Sequence, residues 1–307
     1  MKKIVLAVLI FCSLSAFAQD TEKSAETSKW TKGGMFTFQF NQVSLTNWAA
    51  GGQSSLSVNT MLNVFANYKD DKQTWSNSLD IGYGLLKQGS APLIKSDDRI
   101  ELNSKYGRNI NDAWFYSALL NFKTQMADGF NYPNDNKRIS KFLAPGYMIL
   151  ALGFDYNPSE SFTYLLSPIT SKVTIVNDQT LADAGAFGVD AAEVDGAGVV
   201  TANGRKIRYE VGAYLKMMYK KDIMENVNFQ TKLDLFSNYL NNPQNIDVNW
   251  EVLVGMKINK YLTATLNTHL IYDDDIVIDN NNDGIADVVG PRTQFKEVFG
   301  LGLSLKF

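Results

Sequence analysis

Cysteine and histidine are almost missing from this 307-residue sequence, which contains one of each, Cys12 and His269. Cys12 lies inside the N-terminal export signal described below, so removal of that signal would leave no cysteine. This excludes disulfides, thiolate metal sites and thiol nucleophiles from the mature chain. His269 is then the one imidazole available for acid–base chemistry.

The sequence also lacks an excess of positive charge and an oily composition. It has 29 basic and 32 acidic residues, a formal charge of -3 and a pI near 5.3. An acidic chain is a poor ligand for polyanions, so nucleic acid is not expected as a partner. A mean hydropathy of -0.16 is too polar for a helical membrane protein.

The N-terminus has the pattern of an export signal. Lys2 and Lys3 form the basic start, an apolar run follows to Phe17, and Ala16-Phe17-Ala18 supplies small residues around a cleavage point after Ala18. The run is shorter than the ~20 residues that a membrane anchor needs. A lipoprotein signal at Cys12 is disfavoured because Ile10 and Phe11 precede it. The sequence therefore predicts a signal peptide over 1–18, a flexible periplasmic lead-in over 19–32 and a β-barrel domain over 33–307.

Long stretches in which apolar and polar residues alternate recur along the chain from Met35 onward. Phe36, Phe38 and Phe40, for example, alternate with polar side chains. The pattern recurs over 55–68, 75–85, 99–106, 114–125, 207–220, 227–239, 247–258, 262–270 and 299–307. Stretches 148–156 and 162–176 are more continuously apolar, so their parity is less clear. Period-two alternation indicates strands, about twelve of them, an even number typical of outer-membrane barrels.

A soluble β-sandwich or lipocalin-like barrel would alternate too, but the length of the runs argues against it. Many exceed the ~5–6 residues of soluble strands and reach the ~9–11 needed to cross a membrane. The connections also alternate in length. Short ones lie at 70–72, 109–112, 157–160, 221–226 and 259–260, and longer ones at 43–54, 88–97, 128–141, 177–205, 241–245 and 273–292. This order predicts short periplasmic turns, long outer loops and periplasmic termini.

Aromatic residues of the apolar parity collect beside the short turns. They are Tyr68, Trp75, Tyr106, Trp114, Tyr156, Phe162, Tyr219 and Phe229. Such a girdle belongs at the lipid headgroups, where a ring can contact both lipid and water. The alternating final stretch ends on Phe307, as in the assembly signals of outer-membrane barrels. The sequence therefore predicts an all-β, transmembrane, up-and-down antiparallel β-barrel. Its predicted partners are outer-membrane lipid and the barrel-assembly machinery, which would recognise Phe307.

Several longer blocks resemble an uncharacterised family called domain of unknown function 3078. They are Val43–Gly52, Leu79–Gly84, Ala118–Thr124, Gly185–Val189, Asn249–Val252 and Gly290–Lys296. The resemblance extends over essentially the whole mature chain. It implies an exported envelope protein of the β-barrel type with no established activity, and it carries over no catalytic residues.

Charged residues occupy the polar parity of the predicted strands, which in a membrane barrel faces the lumen. The predicted lumen-lining residues are Arg99, Glu101, Lys105, Arg208, Glu210, Lys216, Lys232, Asp234, Glu251 and Lys257. Mixed signs can line a channel or cross-link a closed lumen. Phe115, Tyr214, Met218 and Phe236 share this parity, which predicts a partly filled interior.

Two local sequence patterns are candidates for catalysis or metal binding. His269 precedes Asp273, Asp274 and Asp275, and a His–Asp contact at a barrel mouth could activate water. No Gly-x-Ser-x-Gly element accompanies it, so a polar lining residue is the favoured interpretation.

The second pattern is a candidate calcium loop. Its predicted ligands are Asp279, Asn281, Asp283, Ile285 and Asp287, with Gly284 at the sharp turn. Gly290 stands where an EF-hand has its last Glu, so a solvated acidic turn remains the alternative. Calcium is the one cofactor that the sequence suggests.

The predicted function is a passive outer-membrane barrel, either a narrow pore or a closed structural barrel, and not an enzyme. One alternative is a barrel that binds or transports an apolar ligand with its interior aromatics. A surface hydrolase centred on His269 is the less favoured alternative.

Overall fold

The computed structural model describes residues 28–45, 52–132, 136–273, 275 and 292–307. Twelve long strands form the barrel: β1 Trp30–Val43, β2 Ser55–Lys69, β3 Gln73–Gln88, β4 Ile94–Asn109, β5 Trp114–Thr124, β8 Gly146–Ser159, β9 Phe162–Ile175, β12 Ile207–Met224, β13 Val227–Asn238, β14 Ile246–Lys257, β15 Leu262–Asp273 and β16 Arg292–Lys306. Short pairs lie in two connections: β6 Gly129–Phe130 with β7 Arg138–Ser140, and β10 Glu193–Val194 with β11 Val200–Ala202. Among the described residues, no helix is long and apolar enough to cross a membrane.

The twelve long strands close into one antiparallel barrel. Each pairs with the next long strand in sequence, and β1 pairs with β16 to complete the ring. Closure leaves no unpaired sheet edge, as a β-structure that spans lipid requires. The prediction of an up-and-down transmembrane barrel with about twelve strands is confirmed.

Side chains alternate between lipid and lumen along each strand because successive Cβ atoms point to opposite faces. In β12, Tyr209 is 69% exposed on the outside, whereas the neighbouring Glu210 is 2% exposed on the inside. The outer surface is apolar, with Leu152, Ile169 and Phe299 among its most exposed side chains. The hydrophobic surface therefore faces outward, where only lipid can cover it.

The two ends of the barrel differ as predicted. Tight turns join β2 to β3, β4 to β5, β8 to β9, β12 to β13 and β14 to β15, and the longer connections all lie at the opposite end. Aromatic rings pair at the tight-turn end, such as Trp30 with Tyr68 (centroids 5.4 Å apart) and Trp114 with Tyr156 (4.7 Å). The orientation in the membrane stays a prediction, and in accordance with it the tight-turn end is called the periplasmic end and the opposite end the outer end.

A small cap with its own apolar core lies at the outer end. It joins the β9–β12 connection, with a helix at Gln179–Asp183, to the β5–β8 connection. Its buried core is Ala144, Val176, Leu181, Ala182 and Val189. Asp178 caps the helix by accepting from the Leu181 amide and also binds Arg138 (2.5 Å) and Lys141 (3.1 Å).

The first strand begins earlier than the sequence predicts. The sequence predicts that Trp30, Thr31 and Lys32 belong to the flexible lead-in, but in the structure they pair with Tyr68, Asn67 and Ala66 of β2. Trp30 packs its ring on Tyr68 and on Trp75, and this aromatic contact extends the strand toward the N-terminus. The predicted signal peptide and residues 19–27 of the lead-in lie outside the described residues.

Candidate functional site

An ion pair crosses the middle of the barrel lumen. Arg99 on β4 donates from Nη1 to both carboxylate oxygens of Glu251 on β14, at 3.2 and 3.3 Å. Five strands separate β4 from β14 in either direction around the ring, so the two residues belong to opposite walls. Because the two side chains meet in the centre, the contact obstructs the lumen at this level.

Further polar contacts form a layer around this pair. Glu101 lies 3.9 Å from Arg99 and 3.6 Å from the Nζ of Lys123, and it accepts from the amide of Asn121 at 2.9 Å. The His269 ring contacts the Asn249 amide oxygen at 2.7 Å and lies 4.0 Å from Glu251. Most charges in this layer therefore have a partner on another strand.

The buried and half-buried charges of the middle and periplasmic levels balance. Apart from exposed residues near the turns, such as Lys220 and Lys257, the described lumen-facing bases there are Arg99, Lys105, Lys123, Lys216 and Lys232, and the acids are Asp80, Glu101, Asp155, Asp234 and Glu251. Two more pairs close within the barrel, Lys105 with Asp155 at 2.6 Å and Lys216 with Asp234 at 3.3 Å. A balanced, paired lining gives the lumen no strong preference for one sign of ion.

Apolar side chains fill another part of the lumen. Leu119, Ala151, Leu165, Tyr214 and Phe236 form one buried cluster. Tyr214 is 2% exposed, and its hydroxyl donates to Asp234 at 2.8 Å. One alternative function is the binding of an apolar ligand by interior aromatic side chains. In the structure these side chains pack against their neighbours. The partly filled interior predicted from their parity is what the structure shows.

Toward the outer end, the lumen is acidic and contains a buried lysine. The Nζ of Lys172 lies 2.6 Å from Asp247, 3.3 Å from Asp273 and 3.6 Å from Glu210. These partners come from β14, β15 and β12, so one ammonium links four strands.

Arg208 connects the lumen to the cap above it. It contacts Glu210 and Asp275, and its Nη1 donates to the Gly188 carbonyl at 2.9 Å. Gly188 has φ +80°, and a Cβ there would lie 2.7 Å from Arg208 Nη1. Glycine therefore allows the cap to approach the guanidinium.

The predicted lumen residues fall into four groups. Arg99, Glu101 and Glu251 meet in the middle layer, while Arg208 with Glu210 and Lys216 with Asp234 form separate pairs. Lys105 pairs with Asp155, which was not among the predicted residues. Lys232 lies beside Glu251 in the strand register, and Lys257 is exposed at the periplasmic end of β14.

Sequence reasoning did not include Lys172, Asp155 and Asp247 among the lumen residues, and it considered Asp273 only as a partner of His269. Lys172 escaped prediction because β9 has a bulge between Ser167 and Thr170, where Pro168 and Ile169 of β9 lie opposite the single residue Ala213 of β12. Alternation read from one end of β9 therefore assigns the wrong face to the other end. The Asp residues lie near strand ends, where parity alone does not separate lumen from loop.

His269 does not pair with either of the described Asp residues that the sequence suggested as its partners. Asp273 contacts Lys172 and Asp275 contacts Arg208, whereas Asp274 lies outside the described residues. No group of His, Cys, Asp and Glu side chains in the described part of the chain could hold a metal ion. The predicted calcium ligands, Asp279 to Asp287, lie outside the described residues.

Comparison with known proteins agrees with the family resemblance. Residues 40–130 match the family described as Protein of unknown function (DUF3078), which confirms the resemblance over that segment. No curated protein matches the chain.

The fold is similar to several solved membrane barrels. The translocator domain of the autotransporter NalP from Neisseria meningitidis is 9% identical (TM-score 0.40), with 100% of this chain and 98% of that one covered. An outer membrane channel from Pseudomonas putida F1 is 11% identical (TM-score 0.38), with 94% and 98% covered. Outer membrane phospholipase A from Escherichia coli is 10% identical (TM-score 0.38), with 94% of each chain covered.

Proposed function

We propose that this protein is a closed structural barrel of the bacterial outer membrane, with a lumen too obstructed to act as an open pore. The ion pair between Arg99 and Glu251, which joins opposite walls, is the observation that carries the proposal. A solute passing this level must separate the two charges. Separating this partly buried pair leaves each charge without its partner, which costs free energy.

Two further obstructions support the same function. The cluster around Tyr214 and Phe236 fills the lumen with apolar side chains that are almost completely buried. At the outer end, the cap reaches the lumen through the contact of Gly188 with Arg208. Several independent contacts would therefore have to break before a solute could pass through the lumen.

The test is single-channel recording in planar bilayers. The wild-type protein should give no steady conductance. The variant Arg99→Ala, Glu251→Ala, Phe236→Ala should give measurable openings, because it removes the crossing pair and one of the two aromatic rings of the cluster. The matched control is Asp190→Ala, Arg205→Ala, which removes an exposed ion pair of the cap (3.5 Å) and should remain silent. Steady channels in the wild-type protein would refute the closed barrel.

The proposal assigns no catalysis to this chain. The His269 ring is held by the Asn249 amide oxygen, and the nearby Glu251 carboxylate is already paired with Arg99, so no described carboxylate is dedicated to orienting His269 as a base. We also propose that export ends with cleavage after Ala18. N-terminal sequencing of protein recovered from membranes should then begin at Gln19.

A further inference from the structure

A second candidate site lies at the outer end, above the lumen obstructions. A pocket of about 280 Å³ opens between the start of β4, the β6–β7 pair and Lys296 of β16. We call it the outer vestibule and define it by Lys95, Asp97, Phe130, Tyr132, Ser140 and Lys296. Its volume lies just below the ~300–1,000 Å³ of typical ligand sites, which suits one small ligand.

Hydrogen bonds hold one wall of the outer vestibule in place. Asp98 accepts from the backbone amides of Met126 (2.8 Å) and Ala127 (2.9 Å). Lys95 Nζ donates to Asp98 (2.9 Å) and to the Ala127 carbonyl (2.7 Å). Gly129 lets β6 and β7 approach closely, since a Cβ there would lie 2.3 Å from the Ser140 hydroxyl oxygen. The wall is thus formed before any ligand arrives.

The charges of the outer vestibule cancel. Lys95 is neutralised by Asp98, and Lys296 of β16 forms an ion pair with Asp97 of β4. With two bases matched by two acids, the site has no net charge with which to attract an ion. A neutral ligand that offers several hydrogen-bonding groups fits this lining better than an anion or a cation.

Two aromatic rings and Ile139 provide the apolar part of the lining. Phe130 and Tyr132 lie with ring centroids 6.1 Å apart and planes inclined at 63°. The polar groups Ser96, Gln125 and Ser140 also line the pocket. A pyranose ring matches this combination, because it presents an apolar C–H face to an aromatic ring and hydroxyls around its edge.

We propose that the outer vestibule binds a neutral sugar ring, with Phe130 and Tyr132 as the aromatic contacts and Asp97 and Lys296 as hydrogen-bonding groups. This inference does not depend on whether the lumen conducts. Such a ring could belong to a free saccharide or to the glycan of a surface lipid, which offer the same chemistry to the pocket.

The experiment is saturation-transfer NMR on the full chain in phosphatidylcholine nanodiscs, without any detergent that has a sugar headgroup. The probes are the methyl glycosides of glucose, galactose, mannose and N-acetylglucosamine, with inorganic phosphate as a charged probe. At least one glycoside should receive saturation from the wild-type protein. Phe130→Ala and Tyr132→Ala should each weaken binding about tenfold, the loss of one aromatic contact of ~1.4 kcal/mol.

Phe142→Ala is the matched control, because Phe142 is an exposed aromatic of the same connection that does not line the outer vestibule. It should bind like the wild-type protein. A second arm uses nanodiscs that contain lipopolysaccharide, and transfer to its sugars alone would assign the site to a surface lipid. The proposal is overturned if no sugar in either arm receives saturation, if phosphate alone does, or if the vestibule variants bind as the control does.

Discussion

Replacing Lys172 by Met tests whether the acidic outer lumen is held together by one ammonium group. Methionine keeps much of the apolar stem but removes the charge. Three carboxylates, of Asp247, Asp273 and Glu210, then lose a partner that lies within 3.6 Å of each. The Lys172 side chain is only 12% exposed, so water screens little of the resulting repulsion.

The expected loss is ~3–5 kcal/mol in the free energy of unfolding, the usual cost of removing one partner from a buried ion pair. Lys216→Met is the matched control, because Lys216 has one carboxylate partner, Asp234, at 3.3 Å and 19% exposure. It should cost less, about 1.5–3 kcal/mol, as for one hydrogen bond to a charged group.

The assay is urea unfolding of protein refolded into lipid vesicles, followed by tryptophan fluorescence. Adding Asp247→Asn and Asp273→Asn to Lys172→Met should restore part of the lost stability, because the amides remove two of the three repelling charges. Equal stability of the Lys172→Met and wild-type proteins, or no recovery in the triple variant, would refute an electrostatic role for this lysine.

Four further predictions concern other parts of the chain. Val252→Arg, near the middle of a lipid-facing strand, should destabilise the barrel by ~2–4 kcal/mol in vesicle unfolding, and a loss below 1 kcal/mol would contradict its lipid contact. Hydrogen bonds from the Tyr68 hydroxyl and from backbone amides lower the pKa of Asp70 from 3.8 to about 2. The charged Asp70 therefore stabilises the folded barrel fully above pH 3.8, and this stabilisation is lost as the pH falls toward 2. Asp70→Asn should lack this pH-dependent loss of stability in acid unfolding. Deleting Phe307 should reduce the yield of barrel in outer-membrane fractions, and an undiminished yield would argue against recognition of this residue. Calorimetric titration with calcium should give heat for the wild-type protein and none for Asp279→Ala, Asp283→Ala, whereas equal heats would mean that the loop is a solvated turn.

The barrel was predictable because membrane crossing constrains every strand in the same way. Lipid covers one face, so Phe36, Phe38 and Phe40 had to alternate with polar residues, and the structure places Phe38 and Phe40 on the exposed outer side. The positions of Trp75 and Trp114 also followed from the girdle at the headgroups, since each lies beside a tight turn. Local periodicity was sufficient for these features.

The contacts within the lumen were not predictable by the same means. Parity places Arg99 and Glu251 inside, but their meeting depends on the strand count and on the stagger of the closed ring. The register shift in β9 similarly conceals Lys172. The cap over the outer end was predicted only as a long loop, because its apolar core combines Ala144 of one connection with Leu181 of another.

The pairing of β1 with β16 has a consequence for how the barrel assembles. It extends over five residue pairs, from Met35–Lys306 to Gln39–Gly302, whereas β1 and β2 pair along the whole length of β1. Closing this junction joins strands from opposite ends of the barrel sequence, so it carries the largest loop-closure entropy of any strand pair. We therefore expect it to form last. Until then the sheet has two bare edges, each able to pair with a neighbouring chain, and closure is the step that removes both edges from an aggregation-prone intermediate.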